Sequence, residues 1–306
     1  MGSTISNESS SNRPTFTVHG RVYRILDVIG QGAAATVYRC EDQNGDQYAV
    51  KVFDFSRSYR SATTQRAQKF DKEARILKFM SRRSPHFVYL FDYEYNRHEN
   101  LGYMIMELGE GSLRDQLIGL PLNDQHRGMY WKQIVAILKD LQDSNVVHAD
   151  IKPDNIILVN NVLKLTDLGI AFRVATPINT VRRGKIQGTL GTSAYLSHFQ
   201  YYTVDFFPIM SFSDYMGPEV FSYHTGVKSD VWSAGIILYE MTYGRPPFYG
   251  IFDQNEKAAA IASRTPIRFP PERNRYLVDC MRRCLQPNLY KRPNAHHLIA
   301  HPYTRI

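Results

Sequence analysis

The sequence has little cysteine and no long apolar run, and both shortages limit what the protein can be. Its three cysteines are too few for a disulfide scaffold, and two of them, Cys280 and Cys284, lie four residues apart in a helical pattern. Histidines follow them, but buried core thiols explain this pair better than zinc ligands do. No apolar run approaches the roughly 20 residues that cross a bilayer, and the N-terminus lacks a signal core. We therefore expect an intracellular protein with no transmembrane segment.

The composition is that of a globular chain. The 306 residues are 43% hydrophobic and 22% charged, which is enough for one large domain or two lobes. The net charge of +8 favours acidic partners. However, the arginines are scattered in pairs, so nothing supports nucleic-acid binding and we expect none.

The start of the chain has almost nothing to bury. Residues 1–14 are rich in serine and asparagine, and we expect a disordered leader over residues 1–19. The first six residues, MGSTIS, match the N-myristoylation pattern, with Gly2 and Ser6 in place. Two fixed positions make a weak signal, and an ordinary disordered start is the favoured interpretation.

The rest of the chain changes pattern once. From Gly20 to about Phe55, apolar and polar residues alternate between turn residues, which predicts a hairpin-rich sheet. Gln65–Ser81 has helical periodicity, and after Gly109–Gly111 the pattern becomes mainly helical. We therefore predict a smaller lobe over about residues 20–108 and a larger, helical lobe over about residues 109–306.

A glycine-containing turn and a lysine mark the smaller lobe. The stretch IGQGAAATVY places two glycines between apparent strands, with only alanines where bulky side chains would keep a phosphate from backbone N–H groups. Alone it is typical of a plain hairpin, since Ala35 replaces the third glycine of GxGxxG. In YAVKVF, alternation puts Ala49 and Lys51 on one face. Glu73 lies on the buried side of its helix, where a carboxylate needs a partner, and Lys51 is the natural one.

The stretch VVHADIKPDN carries the chemistry of the larger lobe. Asp150 follows an apolar run and can accept a proton from a substrate hydroxyl or orient it. Lys152 can neutralise a transferred phosphoryl group, and Asn155 offers an oxygen to a metal ion. A second strand-like run ends in Asp167, another hard oxygen ligand for Mg²⁺. Each acid alone could be a turn cap, but the ordered set of motifs with credible spacings argues against that.

This ordered set resembles a eukaryotic protein kinase catalytic domain from about residue 20 to residue 306. Pro218 and Glu219 resemble the Pro-Glu that ends the activation segment, and Asp230 resembles the aspartate that braces the catalytic loop. Arg292 resembles the arginine that pairs with that glutamate, and Lys152 is similar to serine/threonine kinases. The resemblance implies an α+β, bilobal protein kinase fold, with a small antiparallel β-sheet lobe carrying one regulatory helix and a larger, mainly helical lobe.

Five segments resemble the monopolar spindle (TTK-type) dual-specificity kinase family: HGRVYRILDVIGQG, YMIMELG, LKLTDLGIA, MTYGRPPF and AHPYTRI. By this resemblance Met106 is the gatekeeper, Glu107 and Gly109 form the adenine-binding hinge, and Val37 and Ala49 cover the adenine. ATP and Mg²⁺ are the implied cofactors. The implied contacts with the nucleotide come from Ile29, Gly30, Gly32, Val37, Ala49, Lys51, Met106, Glu107 and Gly109.

The same resemblance implies a biological setting. The family phosphorylates serine and threonine, and also tyrosine, on protein substrates in the spindle checkpoint and in chromosome segregation. We therefore expect kinetochore or spindle proteins as partners, activation by autophosphorylation, and a nuclear, kinetochore location, with the cytoplasm as the alternative. The candidate phosphorylation sites are Thr176, Thr180, Thr189 and Thr192, each of which is equally an unmodified loop threonine.

The chain departs from the kinase pattern at three places. Ala149 replaces the arginine that pairs with an activation-segment phosphate in many kinases, which we interpret as loss of one regulatory latch. Leu168 replaces a phenylalanine and still fills an apolar slot. Residues 198–217 form an aromatic-rich excess that is a docking loop, a buried plug or translated intron. In one register GTSAYLS, residues 191–197, resembles the segment that runs directly into Pro-Glu; a second register pairs Gly188 and Thr189 with SDYMGPE, residues 213–219. If the excess disrupts the activation segment, the alternative function is a pseudokinase or scaffold. A small-molecule kinase is disfavoured by Glu219 and Arg292.

Overall fold

The structure is a computed structural model that describes residues 13–32, 35–56, 60–174, 181–182, 214–222, 224–263 and 266–305, with backbone only at 60–65 and 181–182. Several sequence-based predictions lie outside these residues: the myristoylation pattern, most of the leader, the four candidate threonines, and residues 198–213 of the aromatic excess.

The chain divides into two compact units. The first comprises Met1–Ala74 and Tyr89–Leu108, and the second comprises Arg75–Val88 and Gly109–Ile306. The change between Leu108 and Gly109 falls where the sequence pattern shifts from sheet to helix. Residues 75–88, which we expected in the smaller lobe, group with the second unit.

The first unit is built on a six-stranded antiparallel sheet in the order β1-β2-β3-β4-β6-β5. Its strands are β1 (Thr15–Val18), β2 (Arg21–Gln31), β3 (Ala35–Asp42), β4 (Gln47–Asp54), β5 (Leu90–Asn96) and β6 (Leu101–Met106). Helix α1 (Arg60–Ser81) begins in this unit. The predicted hairpin-rich sheet is therefore present.

Strand β1 corrects the expected boundary of the leader, because residues 15–18 pair with β2. Val18 is fully buried, and the ring of Phe16 stacks on that of Tyr103 with centroids 4.9 Å apart. A four-residue strand with two apolar side chains is too short to give a clear alternating pattern. Its burial depends on Tyr103, which is distant in sequence.

The second unit is mainly helical. Its helices are α2 (Leu113–Gln116), α3 (Asp124–Asp143), α4 (Val227–Tyr243), α5 (Gln254–Ala262), α6 (Arg275–Cys284), α7 (Ala295–Ile299) and α8 (Pro302–Arg305). Its short strands are β7 (Gly111–Ser112), β8 (Val146–Val147), β9 (Ile156–Val159), β10 (Val162–Leu165), β11 (Phe172–Arg173), β12 (Val181–Arg182) and β13 (His224–Thr225). Among the described residues, no helix is long and apolar enough to cross a membrane.

Helix α4 is the centre of the second unit. Every residue from Val227 to Thr242 is buried, as expected for a helix that is apolar on most of its faces. Helix α3 turns Ile134, Leu138 and Leu141 to the core, following the predicted stripe. The C-terminal helix α8 is attached through Thr304, whose Oγ1 accepts a hydrogen bond from Trp131 Nε1 at 2.9 Å.

Candidate active site

The glycine-containing turn lies at the end of the β2–β3 hairpin. Gly30 pairs with Val37, and the N–H of Gly32 donates to the carbonyl of Ala35 at 2.9 Å. Ile29, before the first glycine, is an exposed apolar residue. Of the described residues, a Cβ at Gly30 would meet Val37, at 3.6 Å, which is an ordinary contact, so packing against them does not require the glycine. Its small size leaves the backbone open to approach by a ligand.

Lys51 and Glu73 form a partly buried ion pair within the first unit. Lys51 Nζ lies 2.7 Å from Glu73 Oε1, and the side chains are 14% and 6% exposed. Lys51 is on β4, and Glu73 is on α1. The contact that alternation and helical periodicity predicted is therefore present. It fixes the amine of a long, flexible side chain in one place.

The end of β6 carries the predicted gatekeeper. Met106 pairs with Ala49 across the sheet, and both are buried. The N–H of the next residue, Glu107, donates to the carbonyl of Tyr89 at 2.9 Å. Because this N–H already has a partner, Glu107 would contact an adenine through its carbonyl oxygen.

Gly109, the other predicted hinge residue, is at the start of the second unit. A Cβ at this position would lie 2.7 Å from Ile157 Cδ1 and 3.0 Å from the carbonyl oxygen of Leu158. Any larger residue would therefore displace the side chain of Ile157 and press on the carbonyl of Leu158. Close packing against β9 explains a glycine here, whatever it does for a nucleotide.

The loop after β8 is held by the buried carboxylate of Asp230. The N–H groups of His148 and Ala149 each donate to one of its oxygens at 2.9 Å. Asp230 is in the first turn of α4 and is 2% exposed. Ala149 has a φ of 67°, in the left-handed region that costs an L-residue roughly 1–2 kcal/mol. Two charge-assisted hydrogen bonds offset this strain.

Asp150 is oriented by its neighbours in the same loop. Its Oδ2 accepts hydrogen bonds from Lys152 Nζ at 2.8 Å and from Asn155 Nδ2 at 3.0 Å, and its backbone N–H donates to His148 Nδ1 at 3.2 Å. The Asn155 amide also donates to the Asp150 carbonyl at 2.8 Å. Asn155 thus uses its amide nitrogen within the loop, which leaves its Oδ1 as the atom that can bind a cation.

Asp167 is connected to this loop through the residue before it. The N–H of Thr166 donates to the carbonyl of Asn155 at 2.9 Å, and the carbonyl of Thr166 accepts from His148 Nε2 at 3.1 Å. Asp167 itself has a φ of 57°, while Leu168 is 1% exposed and fills an apolar slot as predicted.

The donor set fits a hard divalent cation that also binds phosphate. In the described part of the chain, no group of three or more His, Cys, Asp or Glu side chains could hold a metal by itself. Mg²⁺ is commonly bound by one or two carboxylates, several waters and substrate phosphates. Asp167 with Asn155 Oδ1 is a set of that size.

A second buried ion pair joins Glu219 to Arg292. Arg292 donates to Glu219 through Nη1 at 2.8 Å and Nη2 at 3.0 Å, a bidentate contact between side chains that are 0% and 5% exposed. Arg292 also donates to the carbonyls of Gln286 and Lys228. This contact anchors the 3-10 turn Pro218–Ser222 to the second unit.

The structure brings together three residues that the sequence did not indicate. The buried Tyr215 hydroxyl donates to Glu240 on α4 and accepts from Arg114 Nη2 at 2.6 Å. Arg114 also donates to Glu240 Oε1 at 2.6 Å and lies 3.4 Å from Asp154 in the loop of Asp150. Burial and the neighbouring Glu240 carboxylate raise the pKa of Tyr215, which keeps the phenol protonated.

This contact corrects the limits of the aromatic excess. Residues 214–217 belong to the range 198–217, yet Asp214 pairs with Lys257 at 2.8 Å and the carbonyl of Tyr215 accepts from Ser233. They are part of the second unit. The second register considered from the sequence, in which SDYMGPE continues the family segment, predicts this arrangement better than one that treats residues 214–217 as inserted.

The chain matches the family model of the protein kinase domain over residues 23–304. It is 32% identical over 304 residues to dual specificity protein kinase TTK of Mus musculus, covering 99% of this chain and 33% of that protein. It is 29% identical over 292 residues to serine/threonine-protein kinase MPS1 of Saccharomyces cerevisiae, covering 92% of this chain and 36% of that protein.

A third relative, serine/threonine-protein kinase mph1 of Schizosaccharomyces pombe, is 31% identical over 318 residues, covering 91% of this chain and 42% of that protein. The chain thus spans about a third of the length of the mouse relative. Members of the matched family transfer a phosphoryl group from ATP with the help of a divalent metal ion. With a family match over nearly the whole chain, the sequence belongs to the protein kinase domain family.

Proposed function

We propose that this chain is an active protein kinase domain that uses ATP and Mg²⁺ to phosphorylate serine and threonine, and also tyrosine, on proteins. The observation that carries the proposal is the arrangement around Asp150. Its carboxylate is held by Lys152 and Asn155, and its loop is fixed by the buried Asp230. A scaffold would not need to hold an acid, a lysine and an amide in this order.

Each residue has a proposed part in the transfer. Asp150 orients the substrate hydroxyl and accepts its proton, and Lys152 neutralises charge on the transferred group. Asn155 Oδ1 and Asp167 provide the oxygen atoms for Mg²⁺. Lys51, held by Glu73, binds the nucleotide phosphates. Bound Mg²⁺ would supply neutralisation of phosphate charge.

The adenine contacts follow from the resemblance. The carbonyl of Glu107 and the N–H of Gly109 would meet the adenine edge, beside the gatekeeper Met106. Val37 and Ala49 would cover its face, and Ile29, Gly30 and Gly32 would lie along the nucleotide.

Transfer of labelled phosphate from ATP to a generic protein substrate tests the proposal. The parent chain should label the substrate, and Asp150→Asn should lower the rate by at least about 10²-fold. Asp154→Asn is a matched control, because Asp154 is half exposed in the same loop. Equal labelling by parent and Asp150→Asn would contradict enzymatic activity and favour the pseudokinase or scaffold.

The aromatic excess gives the alternative function its support, so it should be removed in the same assay. Deleting residues 198–213 keeps Tyr215 in place. Deleting residues 196–215 instead puts Tyr195 directly before Met216, three residues ahead of Pro218, as Tyr215 is now. Activity gained by either deletion would show that the excess inhibits the kinase. The deletion that gives the higher activity indicates which of the two registers, the one ending in Tyr195 or the one containing Tyr215, continues into Pro218.

The biological setting is proposed from the resemblance to the monopolar spindle family and from similarity to kinases named TTK and MPS1. We infer action in the spindle checkpoint at kinetochores, on kinetochore or spindle proteins, with activation by autophosphorylation. Cells whose own gene carries Asp150→Asn should fail to arrest in a microtubule poison. Normal arrest would contradict this role in the checkpoint. It would not contradict the proposal that the chain is an active kinase.

A further inference from the structure

An apolar cleft lies in the second unit, away from the loop of Asp150. Its volume is about 410 Å³, within the range of ligand-binding pockets. Its walls come from Tyr239 near the end of α4, the loop containing Phe248 and Ile251, the end of α5, and the segment Pro266–Pro270. No residue proposed for catalysis lines it.

The cleft has a wall that is fixed in place. Tyr239 donates its hydroxyl to the carbonyl of Arg268, and Tyr243 donates to the carbonyl of Pro270, both at 3.1 Å. Burial raises the pKa of Tyr243 to about 12, so this donor stays protonated. Three lining residues, Pro247, Pro266 and Pro270, are prolines without an N–H, so a partner cannot pair with them as an added strand. The apolar, fixed wall therefore favours a partner that inserts a side chain into the cleft.

Exposed aromatic residues stand beside the cleft. Phe252 follows the lining residue Ile251 and is 85% exposed, and Tyr249 follows Phe248 and is 50% exposed. Exposed large apolar groups next to an apolar cleft mark interaction surfaces more often than single surface residues do.

Three arginines carry positive charge around this surface. Arg268 is the charged residue among the described residues that line the cleft. The guanidinium of Arg245 lies over the ring of Tyr249 at 4.9 Å, and that of Arg282 lies over Phe269 at 5.5 Å. Among the described residues, none of these three arginines has a carboxylate within 4.0 Å. Their charges are therefore available to a partner.

The nearby carboxylates have local roles. Asp253 accepts the N–H of Glu256 and caps α5, and Glu272 accepts the N–H of Asn274. Both stay close to their own backbone, while the arginines extend over aromatic rings.

We propose that this cleft, with Tyr249, Phe252 and Arg268 at its edge, docks an acidic peptide segment of a protein partner that inserts a bulky apolar side chain. The apolar walls receive the side chain, and the arginines pair with carboxylates on either side of it. Charge complementarity selects this occupant over a neutral or basic one.

The position of the cleft gives docking a consequence for catalysis. Helix α5, which lines it, is joined to the segment before Pro218 by the ion pair between Lys257 and Asp214. A docked partner is thus held beside the segment that resembles the end of the kinase activation segment. This consequence rests on the proposed kinase function: docking raises the effective concentration of a substrate that carries such a segment, without new contacts at Asp150.

Selection from a random-peptide phage library, on the full chain, tests the proposal. Each round is followed by counter-selection on a double variant, Phe252→Ser with Arg268→Gln. We expect enriched peptides with a bulky apolar residue flanked by Asp or Glu. A fluorescein-labelled copy of the strongest peptide should bind the parent saturably in fluorescence anisotropy, and each single variant should weaken binding by at least about tenfold.

Tyr290→Ser is the matched control, since Tyr290 is as exposed as Phe252 and does not line the cleft. It should bind the peptide as the parent does. Enrichment of basic or uncharged peptides, no differential enrichment, or equal binding by parent and Phe252→Ser would overturn the proposal. So would a concentration-dependent dimer in sedimentation that Phe252→Ser abolishes, because the occupant would then be a second copy. Thermal unfolding of each variant within about 2 °C of the parent shows that the fold is intact.

Discussion

Replacing Glu219 by glutamine measures what the buried pair with Arg292 contributes to the second unit. The substitution keeps the shape of the side chain but removes its charge, and it leaves a guanidinium that is 0% exposed. Breaking one partner of a buried pair costs about 3–5 kcal/mol, because the remaining charge is desolvated and uncompensated. The carbonyls of Gln286 and Lys228 still accept from Arg292, so we expect the lower end of this range.

For a unit of this size, about 3 kcal/mol corresponds to a fall in Tm of roughly 6–12 °C. Calorimetry and urea unfolding at pH 7 provide the measurement. The double variant Glu219→Gln with Arg292→Met should lose less than the sum of the two single variants, since no uncompensated charge remains. A Tm within about 2 °C of the parent, or strict additivity, would refute the reasoning. Arg283→Gln, which removes an exposed pair with Asp279, is the control and should cost less than about 1 kcal/mol.

Three further predictions concern other parts of the second unit. Tyr215→Phe removes the hydroxyl that joins the buried Glu240 to the partly exposed Arg114, which also reaches Asp154 in the loop of Asp150. We expect kcat/KM for a protein substrate to fall while ATP hydrolysis without substrate is unchanged; equal falls would contradict a positioning role. Ala149→Gly relieves a positive φ and should raise the free energy of unfolding by about 0.5–1 kcal/mol, measured as a higher urea midpoint. A lower midpoint would show that no strain is present. Burial works to raise the pKa of Asp279, but hydrogen bonds from His301 and Arg283 outweigh it and lower that pKa. Its contribution to stability is therefore complete above the unfolded pKa of about 3.9 and is lost as the pH falls through the folded value. Asp279→Asn should be less stable than the parent at pH 7 and equal to it in strong acid, and a difference that persists there would contradict this cause.

The sequence predicted contacts whose partners lie on regular, amphipathic elements. Period-two alternation placed Lys51, helical periodicity placed Glu73 on a buried side, and only pairing satisfies a carboxylate there. The order of residues in the loop of Asp150 was equally informative, because that loop is short and its hydrogen bonds are local. The roles of these residues in catalysis remain proposals.

Contacts between distant segments gave no such signal unless a family motif marked them, as it did for Asp230 and for Glu219 with Arg292. Arg114 and Glu240 are 126 residues apart, and nothing local indicates that they meet at Tyr215. Aromatic density in the flanking residues made Tyr215 resemble the rest of the excess, although its hydroxyl is satisfied inside the second unit. The strand of residues 15–18 was missed for a related reason, since its burial depends on Tyr103.

Asp230 holds positions 148 and 149 in a way that lets the residue at position 149 vary during evolution. Both contacts are made to backbone N–H groups, so the shape of the loop does not depend on which side chain follows the histidine. Position 149 can gain or lose an arginine while the catalytic geometry is preserved. We therefore expect that a kinase built in this way can exchange one mode of control for another through a single codon, without passing through an inactive form.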